Sequence, residues 1–412
     1  MRKIILASAI AAAALCGCSL EDAATSQETE ATTVVETDNI ATESGAEKEA
    51  SQSLETDGEN DTGDDEGTAE AEAGADAWSL LNGVSDDESG NKLFSKTSLD
   101  SVLALVGMGM DSEAGMKDIE AFTGLELTEK SLKDYQASLN TESVKSANGM
   151  FVSDQFVVDP DFSVLAEGLG MTAENYGSAA EGMDLINAFV NSNTDGMIPK
   201  LVESEQDVKD VALVNTLYFN DLWDFEWTDE TTAPFYADGA EKDATFLAKT
   251  FDSYYENDDW YGMKFSYKDG DYAMYAAIPK DGNMNPSITE KEFDDLFAAP
   301  IRSEANVFFP TFKYETSMDL TGLVREKCPG VFEPLSILQG EDAVVDTIMQ
   351  KAKIEVTKEG TRASAATGAT IRTTAAIIEP PAEIRFDHPF LFAITDETTG
   401  GDLFVGLMTD PT

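Results

Sequence analysis

The chain has 412 residues, with 79 acidic side chains against 27 basic ones, a single histidine and three cysteines. A net charge of −52 repels nucleic acid and anionic membrane surfaces, both of which attract basic patches, so neither is expected to bind the folded part. One imidazole, His388, excludes HExxH zinc sites and Cys/His zinc clusters, so no metal or cofactor is expected.

Arg2 and Lys3 precede an apolar run over residues 4–15, too short to span a bilayer but suited to a secretory signal. The run ends in Cys16-Gly17-Cys18, similar to a bacterial lipobox, so residues 1–18 read as a lipoprotein-type signal peptide with Cys18 as the lipidated residue. An ordinary signal peptide with an incidental cysteine is the alternative. Residues 19–77 hold 19 of the acidic residues, one lysine (Lys48) and no aromatic side chain. Such a stretch cannot bury enough apolar surface to offset its conformational entropy, and it is expected to be a disordered, self-repelling tether. Every aromatic residue lies from Trp78 onward, and no second low-complexity break follows, so residues 78–412 read as one domain. With Cys328 the only thiol in that domain, its core must hold the fold without an internal disulfide.

Within the domain, Leu99, Val102, Leu103, Val106 and Met110 fall at helical spacing, with Thr97 or Ser98 as the expected N-cap. Ile186, Phe189 and Val190 mark a second helix, ended by residues 193–196. Strands are expected at 211–219, 272–278, 307–314 and around Ile354 and Val356. Two more, at 389–395 and 403–408, flank the turn Thr399-Gly400-Gly401. Helices before and among strands, without regular βαβ alternation, predict an α+β domain with antiparallel or mixed sheets.

Residues 360–374 read GTRASAATGATIRTT, with no bulky core residue before Ile371. Along an extended chain Thr361, Ala363, Ala365, Thr367, Ala369 and Ile371 share one face, and Arg362, Ser364, Ala366, Gly368, Thr370 and Arg372 the other. No proline occurs from 361 to 379, so every backbone N–H could serve a sheet. Composition alone favours a flexible, solvent-exposed Ala/Thr loop over a strand here.

Several motifs resemble one family, the serpins, and its inhibitory members in particular. Lys351-Ala352-Lys353-Ile354-Glu355-Val356 with Glu359-Gly360-Thr361 and the small residues to Thr367 is similar to the strand and hinge ahead of a reactive loop. Asp387-His388-Pro389-Phe390-Leu391-Phe392 with Leu403-Phe404-Val405-Gly406 resembles the C-terminal signature. Val214-Asn215-Thr216-Leu217-Tyr218-Phe219 with Trp223, Phe309-Pro310-Thr311-Phe312-Lys313, Ile186-Asn187 through Ile198, and Asn91 with Phe94-Ser95 and Ser98 complete the set in the family's order. The chain departs from the pattern at Lys96 (proline in the family), Gln350 (histidine), Phe189 (tryptophan) and Lys358-Glu359, where the family glutamate precedes the glycine by two.

The resemblance implies several helices around three β-sheets, an exposed reactive loop at about 358–382, and suicide inhibition of serine proteases by loop insertion, without enzymatic turnover. It implies a hinge of Glu359, Gly360, Thr361, Ala363, Ser364, Ala365, Ala366 and Thr367, and breach and shutter positions at Trp223, Asn215, Ser95, Ser98 and Gln350. Family spacing counted from Gly360 puts the cut at Thr374-Ala375; counted back from Phe386, at Ile378-Glu379. The bait bond is therefore expected among Thr374, Ala375, Ala376, Ile377 and Ile378. These side chains suit elastase-like or subtilisin-like pockets better than trypsin-like ones, for which Arg372 is the alternative. The expected protein is a monomeric bacterial lipoprotein, secreted or at the cell surface and attached to membrane only through its lipid. A non-inhibitory serpin acting as a binding or chaperone module is the alternative, and a hydrolase using His388 the third reading. His388 is expected to be packed, since no GxSxG motif accompanies it.

Overall fold

A computed structural model describes residues 76–412, apart from 238, 340–342 and 362–379. Asp76 caps the first described helix, Ala77–Leu81, by accepting from the Ser79 N–H. The helix Lys96–Gly107 starts earlier than its apolar spacing suggested: Ser95, in an extended conformation, accepts from the Ser98 N–H and is the N-cap in place of Thr97 or Ser98. Every residue from Ser98 to Gly107 is buried, because this helix lies in the core with no solvent face to keep polar. The helix Ala179–Asn193 ends where expected, with Asp195 (φ 50°) and Gly196 (φ 71°) both left-handed.

Among the described residues the strands form three large sheets and one two-stranded ribbon, giving an α+β fold. A six-stranded antiparallel sheet contains the C-terminal hairpin Phe390–Asp396 and Asp402–Met408 beside Tyr272–Pro279. A four-stranded sheet contains Ala382–Arg385, Ala305–Pro310, Ala240–Phe251 and Asp229–Ala237. The aromatic core against these two sheets includes Phe265, Phe309, Phe386 and Phe390. The stretch expected as one strand over 307–314 is two. Ala305–Pro310 and Phe312–Asp319 belong to different sheets: the Thr311 N–H still donates to Thr245 O, the next rung of the first ladder, and from Phe312 the chain pairs with Val356 instead.

The seven-stranded sheet positions the site. Its body runs Met171–Tyr176, Val144–Ser153, Val211–Phe219 and Thr347–Val356, with Phe312–Asp319 outside. The helix Lys96–Gly107 packs on one face and Ala179–Asn193 on the other. Val211–Phe219 is buried at every position, as a strand covered on both faces must be.

Candidate functional site

Two neighbouring strands of this sheet run parallel. Thr347 to Ala352 pair rung by rung with Ala212 to Leu217, forming a closed seam. Beyond Ala352 the strands diverge, and the gap at the top is occupied by the chain itself. Thr357 donates from both its N–H and its Oγ1 to Gly360 O (2.9 and 3.0 Å), a turn that folds Gly360–Thr361 back into the gap. Thr361 pairs with Val356 on one side and Asp221 on the other, while Gly360 pairs with Leu222.

A glycine is required there. A Cβ on residue 360 would stand 2.2 Å from Asp221 O, closer than any real contact, so a side chain would force the backbones apart. Trp223 closes the gap from above: its N–H donates to Glu359 O and its indole Nε1–H to Thr357 O, both at 3.0 Å. The indole stacks on Tyr267 (centroids 4.6 Å apart), whose hydroxyl is 2.6 Å from Thr361 Oγ1. Burial pushes the Tyr267 phenol far up, so it remains a neutral hydroxyl that can share this bond. Trp223, Glu359, Gly360 and Thr361 thus meet at the mouth of the seam. The remaining hinge positions Ala363, Ser364, Ala365, Ala366 and Thr367, the bond candidates Thr374, Ala375, Ala376, Ile377 and Ile378, and Cys18 lie outside the described residues. The chain returns at Pro380 and Pro381 and then pairs, as Ala382–Arg385, parallel to Ala305–Pro310.

Lower in the seam, Asn215 and Gln350 face each other across it and share a buried polar network. Gln350 Nε2 donates to Ser95 O (2.9 Å) and Asn215 Oδ1 (3.1 Å), and its Oε1 accepts from the Ser95 N–H. The Ser98 hydroxyl donates to Asn215 Oδ1 at 2.6 Å, and Asn215 Nδ2 donates to Ser98 O and Asn148 Oδ1. The glutamine therefore serves where the family has histidine, tying both seam strands to the N-terminus of the buried helix. The network extends through three residues the sequence did not single out. Asn148 Nδ2 donates to Ser101 Oγ and Gln136 Oε1, and Ser101 Oγ also donates to Gln136 Oε1.

Lys96, in place of the family's proline, sends its ammonium to both Asp100 oxygens (2.7 and 2.6 Å) and to Phe122 O. Burial pushes the Asp100 carboxyl up to about 6, against the pull of that lysine. His388 is packed as expected: Nδ1 lies 3.0 Å from Asp387 Oδ1 and Nε2 2.9 Å from Pro279 O. Cys328 is fully buried, and burial pushes its thiol up to about 12.

A closed parallel seam whose mouth already holds Gly360 and Thr361 between its diverging strands is an arrangement that can accept another strand. Residues 73–411 match the family model described as "Serpin (serine protease inhibitor)". The chain belongs to the serpin family. Serpins are as a family inhibitors of serine proteases. An uncharacterized serpin-like protein of Thermococcus kodakarensis is 26% identical over 354 residues, covering 78% of this chain and 81% of the relative. The leukocyte elastase inhibitor of Bos taurus is 28% identical over 361 residues, covering 78% and 93%. Among solved structures, the thermophilic serpin Tengpin in its native state superposes with a TM-score of 0.70 at 23% identity, covering 80% of this serpin and 91% of that chain. Native protease nexin-1 superposes with a TM-score of 0.67, also at 23% identity, covering 78% and 93%. Both share the fold.

Proposed function

We propose that this serpin is a suicide inhibitor of elastase-like or subtilisin-like serine proteases. The observation that carries the reading is Gly360–Thr361 already paired at the mouth of the seam, followed in sequence by Ala363, Ser364, Ala365, Ala366 and Thr367. Small side chains are what a strand needs to pass between two close neighbours. The protease serine attacks the carbonyl carbon of a bond between Thr374 and Glu379, a C–O bond forms, and the peptide C–N bond breaks. The released amine takes the proton through the protease's histidine and leaves the acyl carbon, while the C-terminal segment behind it stays paired in its two sheets. The remaining chain, still esterified to the protease, enters between Val211–Phe219 and Thr347–Val356. A strand of about 15 residues at about 3.3 Å each spans roughly 50 Å, enough to carry the enzyme to the far pole. Strain release by loop insertion into a sheet is an established switching device.

The small and aliphatic side chains of Thr374, Ala375, Ala376, Ile377 and Ile378 support a shallow-pocket target, and a leukocyte elastase inhibitor among the relatives supports it further. In the same reading Cys18 carries a lipid, and residues 19–77 hold the inhibitor off the cell surface as a monomer. The test is incubation with pancreatic elastase, subtilisin and trypsin, followed by denaturing electrophoresis and sequencing of the released peptide. An SDS-stable complex with elastase or subtilisin is expected; a complex with trypsin alone would move the bait bond to Arg372. Cleavage by every protease without any complex would favour a non-inhibitory serpin. Cys18→Ala is expected to release the protein to the medium.

A further inference from the structure

We infer that the Lys96 and Asp100 side chains condense into an internal amide, a covalent brace across the first turn of the buried helix Lys96–Gly107. The inference does not depend on the inhibitory reading and concerns a covalent modification of the chain itself. Lys96 is the first residue of the helix and Asp100 lies four residues on, a spacing that puts both side chains on one face. The ammonium lies 2.7 and 2.6 Å from the two Asp100 oxygens and 3.1 Å from Phe122 O, near the end of the helix Glu113–Thr123. The Phe122 ring covers it, with Nζ 4.8 Å from the centroid.

Burial separates this pair from others of the same kind. Lys130–Asp134 and Lys291–Asp295 share the residue types and the spacing, but their side chains are 87% and 68%, and 83% and 62%, exposed. Those of Lys96 and Asp100 are 14% and 8% exposed. Water stabilises the two exposed pairs as ions. In the buried pair desolvation penalises both charges, so a neutral amine and carboxylic acid compete with the ion pair. The burial that pushes the Asp100 carboxyl up to about 6, against the pull of Lys96, acts in that direction.

The bond-forming step is complete within the pair. One proton passes from the ammonium to the carboxylate, and the freed nitrogen lone pair attacks Asp100 Cγ. The Nζ–Cγ bond forms, the bond from Cγ to the hydroxyl oxygen breaks, and that oxygen leaves as water with a proton that the nitrogen gives up. Nothing is oxidised or reduced. Glu290 faces the same ammonium, and burial, with Asp76 and Asp294, raises its carboxyl as well, which suits it to carry that proton. Contact between the reacting groups takes the place of chemical activation, since well-oriented intramolecular reactions reach effective concentrations of about 10⁵–10⁸ M. The amide keeps one N–H, enough to go on donating to Phe122 O. The Ser95 N–H and the Ser98 hydroxyl donate to Gln350 and Asn215, so the brace fixes the turn that presents them. Asp100 titrates only in chains where the bond has not formed.

The test is peptide mapping of the purified full chain, denatured and digested with trypsin after near-UV circular dichroism has verified its fold. The expected product is an uncut peptide of residues 93–117, lighter by the mass of one water, in which no fragment ion breaks the chain between Lys96 and Asp100. Peptides carrying Lys130 and Lys291 are expected at full mass in the same digest. Lys96→Arg removes the nucleophile and is expected to give a full-mass peptide cut after residue 96; the same light, uncut peptide from that variant would overturn the brace. A succinimide at Asp100 also loses one water, but it leaves Lys96 open to trypsin and reopens in mild alkali. Finding it in place of the uncut peptide would overturn the brace, and so would a full-mass peptide from the folded parent, whether or not it is cut after Lys96.

Discussion

At the scale of single residues, the tightest constraint is Gly360. Because a Cβ there would meet Asp221 O at 2.2 Å, Gly360→Ala must push apart backbones that now pair. The expected cost is on the order of 1–3 kcal/mol in urea unfolding, the range for overpacking a close contact. An unchanged midpoint would mean that the turn at Thr357 relaxes freely. Gln350→Ala strips partners from the Ser95 N–H, Ser95 O and Asn215 Oδ1 in a buried site; a loss of about 2–3 kcal/mol is expected in the same measurement. Ser95, Ser98, Asn215, Gln350 and Trp223 were legible in the sequence because each lies in a recognisable motif. Asn148, Ser101 and Gln136 were not. Asn148 stands in Lys145-Ser146-Ala147-Asn148-Gly149, whose polarity suggests a loop, and it becomes a core residue only because Ser101 and Asn215 reach it from distant regions of the chain.

At the scale of elements, continuous apolar stretches announced themselves. Val211–Phe219 and Tyr272–Pro279 are buried along their whole length, and their sequences carry no alternation to confuse. The hairpin Asp229–Ala237 and Ala240–Phe251 escaped notice because its first strand exposes Asp229, Glu230, Thr231 and Thr232, residues with the composition of a loop. The division of 305–319 between two sheets was likewise hidden, since Phe309 and Phe312 are equally buried and only the change of partners separates them. For the hinge, the buried Thr361 side chain sets the phase of any strand that continues from it, and Ala363, Ala365 and Thr367 share that phase. Ala365→Arg would place a guanidinium on the inward face of an inserted strand, where an unpaired charge is strongly unfavourable. This variant is expected to be cleaved while forming little complex, read as the ratio of complex to cleaved protein on denaturing gels; an unaltered ratio would contradict insertion in that phase.

At the scale of the whole molecule, several groups couple stability to pH. Burial, helped by Glu290 and Asp294, pushes the Asp402 carboxyl up to about 7, and Asp100 stands at about 6. Burial lowers His388, but Asp387 and the Pro279 carbonyl outweigh it and hold the imidazole above its ordinary value. Each raised value means that the folded chain binds protons more tightly than the unfolded one, so stability grows as pH falls through 7 and 6. Asp410 behaves oppositely: burial raises its carboxyl, but Lys242 and Thr412 hold it below the usual range, and that contribution is lost in stronger acid. Thermal scans are expected to show a higher Tm near pH 5.5 than at pH 8, by roughly 1–2 °C for each kcal/mol of linkage, and a decline below about pH 4. Asp402→Asn should flatten the upper end of that profile.

The seam has one further consequence, which concerns the polarity of its ladder. Parallel pairing is slightly weaker per residue than antiparallel pairing, and the six rungs from Thr347 to Ala352 are parallel. Gly360–Thr361 runs opposite to Val356 and to Asp221–Leu222 on either side of it. A segment continuing downward from Thr361 would exchange that single slanted ladder for two perpendicular ones, adding backbone bonds on both flanks. On the insertion reading, the protein keeps a parallel ladder, the slightly weaker kind of pairing, where the segment that would replace it is covalently attached.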